Sequence, residues 1–80
     1  MSFYVYIIYS SSKDRYYIGQ TEDLSTRVQE HNQRENLGAN DWILKYSEEF
    51  DSRSEAMKRE LEIKSKKRRA YIEGLIISLA

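Results

Sequence analysis

Hydrophobic and aromatic residues near the start of the chain predict a pair of β-strands. The segment FYVYIIY at 3–9 is β-branched and aromatic and is apolar on both faces, which is typical of a central strand. Polar residues at 10–15, SSSKDR, predict a turn, and YYIGQ at 16–20 predicts the returning strand. If residue 9 pairs with residue 14, Tyr6 lies opposite Tyr17 and both side chains share one face of the sheet.

A helix is predicted directly after this hairpin. Thr21 is expected to cap it, because Glu22 and Asp23 would then lie in the first turn, where carboxylates suit the helix dipole. Leu24 and Val28 are one turn apart and predict the buried side of the helix.

The next segments predict a loop and a third strand. Residues 34–41, RENLGAND, have the polar composition of a loop. The segment WILKYSEEF at 42–50 alternates Trp42, Leu44 and Tyr46 on one side, which predicts a strand.

The C-terminal part of the chain predicts two further helices. The sequence SRSE at 52–55 fits a capping box before a helix of roughly residues 53 to 66. Apolar residues at helical spacing predict a last helix: Tyr71, Ile72, Leu75, Ile76 and Leu79. The order β-β-α-β-α-α predicts an α/β fold, with a small three-stranded antiparallel sheet flanked by helices. No repeat, linker or proline interrupts the sequence, so residues 1–80 are expected to form a single domain.

One carboxylate breaks the pattern of the helix at 53–66. Helical spacing places four apolar residues on one arc: Ala56, Met57, Leu61 and Ile63. Glu60 and Lys64 fall inside that arc, where a charged group needs a partner to offset its desolvation. One interpretation is an ordinary i,i+4 ion pair, worth about 0.3–0.5 kcal/mol when exposed. The other is a ligand for a hard cation such as magnesium. Periodicity alone does not decide between them.

Polar and aromatic residues elsewhere allow two interpretations as well. Arg27 and His31 are one helical turn apart and can face a phosphate together, or they can be exposed residues of an amphipathic helix. The seven tyrosines can pack at the edges of the core, or Tyr6 and Tyr17 can present two phenols to a ligand. Gly19 then indicates a bulge or a close approach by another backbone or by substrate.

Charge and composition narrow the class of protein. The net charge is zero, which argues against a protein that coats nucleic acid, yet residues 58–69 hold seven basic residues against two acidic ones. Those cations also suit a solvated helix end. Cysteine is absent, so disulfides and Cys-based metal sites are excluded. No apolar run is long enough to span a membrane, and a cytoplasmic location is expected.

These segments together resemble the GIY-YIG endonucleases over nearly the whole chain. YVYII stands at the position of the family's first motif, and YYIG stands at that of the second. LSTRVQEH resembles the helix with an Arg and a following His, and AMKRELEIK resembles the later helix with a metal-binding Glu. RRAYIEGLI is similar to the closing helix of short, single-domain members. The first motif departs from the family pattern, because residues 4–6 read Tyr-Val-Tyr and keep the tyrosine without the glycine.

The resemblance implies a catalytic role for five residues. Tyr6 would be the general base toward water, which requires nearby cations to lower its phenol pKa from about 10. Arg27 would contact the scissile phosphate, and Tyr17 and His31 would position water or transfer a proton. Glu60 would ligate one divalent cation, Mg²⁺ or Mn²⁺, which would polarise the phosphoryl oxygen.

The resemblance also implies residues that bind substrate. Gly19 would give the substrate room beside the two tyrosines. Basic residues of the 64–69 segment would hold the strand backbone without reading its sequence: Lys64, Lys66, Lys67, Arg68 and Arg69.

The function that the resemblance implies is hydrolysis of DNA phosphodiester bonds by a divalent-metal-dependent endonuclease, in DNA repair or recombination. The alternative is a nucleic-acid-binding module that keeps the fold without useful cleavage, which the zero net charge favours. A third interpretation is a purely structural role. DNA is the expected partner and no membrane is expected. A homodimer, or a protein partner that supplies specificity, would suit a chain with so small a surface.

Overall fold

A three-stranded antiparallel sheet with the strand order β2-β1-β3 organises the molecule. The computed structural model describes residues 2–34 and 39–78. The elements follow the chain as β1 (Phe3–Ser10), β2 (Arg15–Thr21), α1 (Leu24–Arg34), β3 (Trp42–Phe50), α2 (Arg53–Lys66) and α3 (Arg69–Ser78). The predicted α/β fold and its order β-β-α-β-α-α are confirmed. None of the helices in the described part of the chain has the length and apolar character needed to cross a membrane.

The sheet buries a different set of apolar side chains on each face. The α1 face buries Tyr6, Ile8, Ala39 and Trp42, with Tyr17, Leu24 and Val28 packed against them. The α2–α3 face buries Val5, Ile7, Ile18, Tyr46, Ala56 and Ile63. Because β1 is central and apolar on both sides, both clusters are built on it, as the segment at 3–9 predicts.

The register of the hairpin differs from the predicted one. Tyr6 lies opposite Gly19 and Ile8 lies opposite Tyr17, so the predicted pairing of Tyr6 with Tyr17 is wrong. The turn lies one residue later than predicted. The pair that closes it is Ser10–Arg15, where a pair between residues 9 and 14 was expected. The displacement shifts the pairing by two residues, which preserves the faces, and Tyr6 and Tyr17 therefore remain on the same side of the sheet.

Strand β3 contains an irregularity that the sequence pattern does not predict. Ile7 pairs with Tyr46 but Ile8 pairs with Leu44, so one residue between them is left out of register as a bulge. The prediction that Trp42, Leu44 and Tyr46 share one side is therefore wrong. Trp42 packs on the α1 face, Tyr46 packs on the α2–α3 face, and the Leu44 residue is 39% exposed.

Helix α1 begins later than predicted. Asp23, not Thr21, accepts the capping hydrogen bond, from the backbone N–H of Thr26 at 3.2 Å. Thr21 instead accepts a hydrogen bond from the backbone N–H of Asp23 at 3.1 Å and so fixes the turn before the helix. Leu24 and Val28 pack inward as expected.

Helices α2 and α3 cover the opposite face. The predicted bounds of α2 and its Ser52 cap are confirmed, since Ser52 accepts a hydrogen bond from the backbone N–H of Glu55 at 3.3 Å. The helix buries only Ala56 and Ile63, two turns apart. Met57 and Leu61 are 46% and 64% exposed, so their predicted place on the buried arc is wrong.

Helix α3 packs four of its five predicted apolar residues against the core: Tyr71, Ile72, Leu75 and Ile76. The fifth, Leu79, lies outside the described residues, as do residues 35–38 of the predicted loop.

Candidate active site

Gly19 lies directly under the phenol of Tyr6. A Cβ atom on residue 19 would lie 2.6 Å from the Tyr6 Oη atom, 2.8 Å from its Cζ atom and 3.1 Å from Cε1 of Tyr17. The space beside Gly19, which was expected to admit substrate, is therefore filled by the Tyr6 ring. The glycine is not at a bulge, because its pairing with Tyr6 is regular. Because residue 19 has no side chain, the Tyr6 phenol can lie close to the edge strand β2.

Tyr6, Tyr17 and His31 form a single aromatic cluster on the α1 face. The ring centroids of Tyr6 and Tyr17 are 6.4 Å apart, and the His31 ring lies 6.1 Å from the first and 5.0 Å from the second. The Tyr6 Oη atom lies 3.0 Å from Nε2 of His31, in hydrogen-bonding distance. The Nδ1 atom of His31 is buried and has no partner among the described residues. Tyr6 and His31 are 1% and 2% exposed, so this hydrogen bond is shielded from bulk water.

Burial and neighbouring charges set the protonation of this cluster. Burial raises the pKa of Tyr6 above its usual value, and the Arg27 guanidinium, which stabilises the phenolate, opposes that rise. The charge of Glu60 adds to it. Burial, together with the positive charge of Arg27, lowers the pKa of His31. In the protein alone the pKa of Tyr6 is therefore raised, in contrast to the lowered value that a general base was expected to have. A neutral imidazole accepts a hydrogen bond from a neutral phenol.

Arg27 lies beside the cluster on the same helix as His31. Its guanidinium pairs with Glu30 at 3.3 Å, and the Arg27 side chain is 39% exposed. Interaction with Tyr6 raises the pKa of Arg27 further, so its charge is permanent. A half-exposed guanidinium next to a buried phenol is suited to contact an anionic oxygen from solvent.

Glu60 and Lys64 approach the cluster from the other side of the sheet. The Glu60 carboxylate accepts a hydrogen bond from the Lys64 Nζ atom at 2.7 Å, and the Glu60 side chain is only 17% exposed. The Nζ atom lies 6.0 Å from the ring centroid of Tyr17, across the edge of β2. The ion pair, one of the two interpretations of Glu60 and Lys64, is therefore present, and Lys64 lies next to the aromatic cluster.

The donor set at Glu60 fits a largely hydrated divalent cation. Within residues 2–34 and 39–78, no three carboxylate, histidine or cysteine side chains are grouped closely enough to form a metal cage. Magnesium commonly binds proteins through one or two carboxylates and takes its other ligands from water and substrate phosphate. Glu60 offers such a carboxylate, and its partner Lys64 has a 46% exposed side chain that can move into solvent.

The basic residues of the 64–69 segment have different environments. Arg69 is fixed by Asp14 at 2.6 Å and by Glu73 at 3.2 Å. Lys66 lies over the ring of Tyr71, 5.6 Å from its centroid. Lys64, Lys67 and Arg68 line a cavity beside β2, described below. Arg69 and Lys66 are thus engaged within the fold, although all five were expected to bind substrate.

One residue of this region, Arg15, was not expected from the sequence to bind substrate. Arg15 lines the same cavity but was assigned only to the turn before β2. A cation next to two tyrosines on a strand was the available signal.

The fold is a small α/β domain with a tyrosine-rich edge strand. A model of the GIY-YIG catalytic domain matches residues 2–73, and the chain belongs to the GIY-YIG family. The five residues with expected catalytic roles all lie within the matched range. Tyr4, which stands where the resemblance expects the first motif's glycine, pairs with Thr21 and Glu49 outside the aromatic cluster.

Similar proteins carry the name UPF0213. One from Halobacterium salinarum is 43% identical over 65 residues, covering 76% of this chain and 83% of the relative. One from Haloquadratum walsbyi is 41% identical over 83 residues, covering 94% and 92% respectively. The solution NMR structure of a UPF0213 protein from Bacillus halodurans has a TM-score of 0.63 and 31% identity, covering 99% of this chain and 85% of that one.

Proposed function

We propose that the protein is a divalent-metal-dependent endonuclease that hydrolyses phosphodiester bonds of DNA. The observation that carries this proposal is the convergence of Tyr6, His31 and Arg27 inside a chain that matches the GIY-YIG catalytic domain. A phosphodiester resists attack because its oxygens are anionic, so cleavage needs both charge neutralisation and a positioned water.

The buried hydrogen bond supports a proton relay through Tyr6. Tyr6 takes a proton from the attacking water as it gives its own phenolic proton to Nε2 of His31, over the observed 3.0 Å. This relay explains how a phenol with a raised pKa can act as a base, because no free phenolate has to form in advance. The lowered pKa of His31 keeps the imidazole neutral and ready to accept.

Arg27, and a cation bound by Glu60, would offset the negative charge of the phosphate. Arg27 would bind a non-bridging oxygen, for which its half-exposed guanidinium is suited. Glu60 would hold a divalent cation, which supplies Lewis-acid stabilisation of the phosphoryl and leaving 3′ oxygens when it is bound. Tyr17, whose ring packs against that of His31 in a T-shaped arrangement, would position the water.

Cleavage of supercoiled and branched DNA tests the proposal. The protein should nick these substrates with Mg²⁺ or Mn²⁺ and leave them intact with a chelator. Tyr6→Phe and Glu60→Gln should abolish nicking while Tyr4→Phe and Glu55→Gln, matched changes on the same strand and helix, retain it. Circular dichroism should show that all four variants are folded. Nicking that survives in both Tyr6→Phe and Glu60→Gln would refute the assigned roles.

A binding module without cleavage is the second candidate. It is favoured by the existing ion pair between Glu60 and Lys64 and by the raised pKa of Tyr6. Such a module would bind DNA equally well with and without Mg²⁺ and would tolerate Glu60→Gln. Intact DNA in every lane, together with a shifted band on native gels, would establish this candidate instead.

A further inference from the structure

A basic cavity lies on the α2–α3 face, beside the edge strand β2 and the junction between the two helices. Its volume is about 340 Å³. Its floor is made of Tyr16, Ile18, Ile63 and Ile72, and its rim is made of Arg15, Lys64, Lys67, Arg68 and Arg69. No carboxylate among the described residues lines it, and of the five rim cations only Lys64 and Arg69 have an ion-pair partner, which lies outside the lining.

Most of the rim cations are not engaged by the rest of the protein. Arg69 is held by Asp14 and Glu73. Arg15, Lys67 and Arg68 are exposed and form no ion pair with any carboxylate in the described part of the chain. Lys67 also has a left-handed backbone with φ 53° and ends α2, which turns the chain so that 67 and 68 reach the same cavity.

Unpaired cations around one concave site repel each other, and an anion relieves that repulsion. Guanidinium and ammonium groups are the usual protein donors to phosphate oxygens. We propose that this cavity binds one phosphate group of the DNA strand, separate from the scissile phosphate, through Arg15, Lys67 and Arg68. The inference rests on DNA being the substrate in the proposed function.

Lys64 connects this cavity to the candidate active site. It lines the cavity, and its Nζ atom also lies 6.0 Å from the Tyr17 ring on the opposite side of β2. A strand that crosses the edge of β2 therefore meets positive charge on both sides. The cavity would fix the backbone on one side, and Arg27 would receive the scissile phosphate on the other.

The salt dependence of DNA binding measures how many phosphates the protein contacts. The logarithm of the binding constant falls with the logarithm of salt concentration, with a slope of about −0.9 per phosphate neutralised on duplex DNA. Binding of a duplex oligonucleotide would be measured in chelator, by fluorescence anisotropy, for wild type and for Arg15→Gln, Lys67→Gln and Arg68→Gln. Lys45→Gln, the same type of change on the exposed far edge strand β3, is the matched control.

If Arg15, Lys67 and Arg68 share one phosphate, their variants should change the slope by a defined amount. The triple variant should have a slope shallower by about 0.9, and the single variants should each account for part of that change. Arg15→Lys should keep most of the wild-type slope because it keeps the charge. Unchanged slopes in all three single variants, or a change in slope equal to that of Lys45→Gln, would overturn the inference. A triple variant shallower by about 2.7, with additive single effects, would indicate three separate contacts and would also overturn it.

A titration of the wild-type protein with inorganic phosphate gives a second, independent readout. Amide resonances of Arg15 and Ile18 should shift and saturate, while those of β3 should not. The absence of any shift, with unchanged salt slopes, would reject the site even if the protein cleaves DNA. A reduced slope in a protein without cleavage would keep the phosphate site and reject only the nuclease activity.

Discussion

Replacing Gly19 with alanine is expected to damage the site by displacing Tyr6. The new Cβ atom would lie 2.6 Å from the Tyr6 Oη atom and 2.8 Å from its Cζ atom, well inside van der Waals contact. Tyr6 is 1% exposed and its hydroxyl is bound to His31, so the ring has little freedom to move aside. The collision therefore has to be relieved by a shift of β2 or by breaking the hydrogen bond.

The expected loss in free energy of unfolding is about 1–2 kcal/mol. Overpacking an interior typically costs about 1–3 kcal/mol. The φ of Gly19 lies outside the left-handed region, so alanine can adopt its backbone conformation and recovers about 0.4–1 kcal/mol by restricting the unfolded chain. In a domain of this size, each kcal/mol lowers Tm by about 4–8 °C. The rate of DNA cleavage should fall by more than this loss of stability alone would cause, because the displaced phenol is the proposed base.

Thermal unfolding followed by the fluorescence of Trp42, the single tryptophan, measures this change. The matched control is Gly74→Ala on α3, where a Cβ atom meets nothing within 4 Å. That change should stabilise the protein by about 0.5–1 kcal/mol, since glycine is unfavourable inside a helix.

A double-mutant cycle with Tyr6→Phe identifies the colliding atom. Phenylalanine lacks the Oη atom that would lie nearest to the new Cβ, so Gly19→Ala should cost less in a Tyr6→Phe background than in wild type. Equal costs in both backgrounds, or an unchanged Tm together with full cleavage in Gly19→Ala, would refute the assignment of this space to Tyr6.

Three further changes test the supporting contacts. Burial lowers the pKa of His31, so on acidification the unfolded chain takes up a proton before the folded protein does. The contribution of His31 to the free energy of unfolding should therefore be fully present above about pH 6.5 and fall as the pH drops below it. The urea midpoint of His31→Gln should lack this pH dependence. Asp41→Asn should lower Tm by weakening its 2.6 Å hydrogen bond from Ser10, and should reduce the loss of stability below about pH 4, because hydrogen bonds depress the pKa of Asp41. Glu48→Gln should cost about 1–3 kcal/mol in urea unfolding, since Glu48 and Arg59 form a largely buried ion pair with 22% exposed side chains.

The helices and strands were predictable because their signals are local. The apolar run of β1 and the Ser52 cap each lie within a few residues of the structure that they specify. The position of the first turn depends on a distant residue instead. Asp41 accepts hydrogen bonds from Ser10 and Ser12, about 30 residues earlier in the chain, and no pattern within the turn reveals that contact. The pairing of Tyr6 with Gly19 follows from the turn position and could not be derived from the strand sequences alone.

The bulge in β3 was concealed for a related reason. Apolar residues occupy 42, 43, 44 and 46, so strict alternation is only one of the patterns that the segment allows. The structure instead places Trp42 and Tyr46 on opposite faces, where each fills a separate cluster. Helical spacing singled out Arg27 and Glu60, and the family resemblance supplied their expected roles. The Tyr6–His31 hydrogen bond, which spans 25 residues, required the folded register.

The position of Gly19 on an edge strand explains how groups from both faces of the sheet reach one site. Tyr6 lies on the α1 face, while Glu60 belongs to α2, which packs on the opposite face. Across a central strand, a full layer of backbone would separate them. Beside β2 the Glu60–Lys64 pair reaches around the edge to Tyr17, and the charge of Glu60 contributes to the raised pKa of Tyr6. A side chain at 19 would push Tyr6 away from that edge, so the glycine both seats the phenol and keeps it within reach of α2.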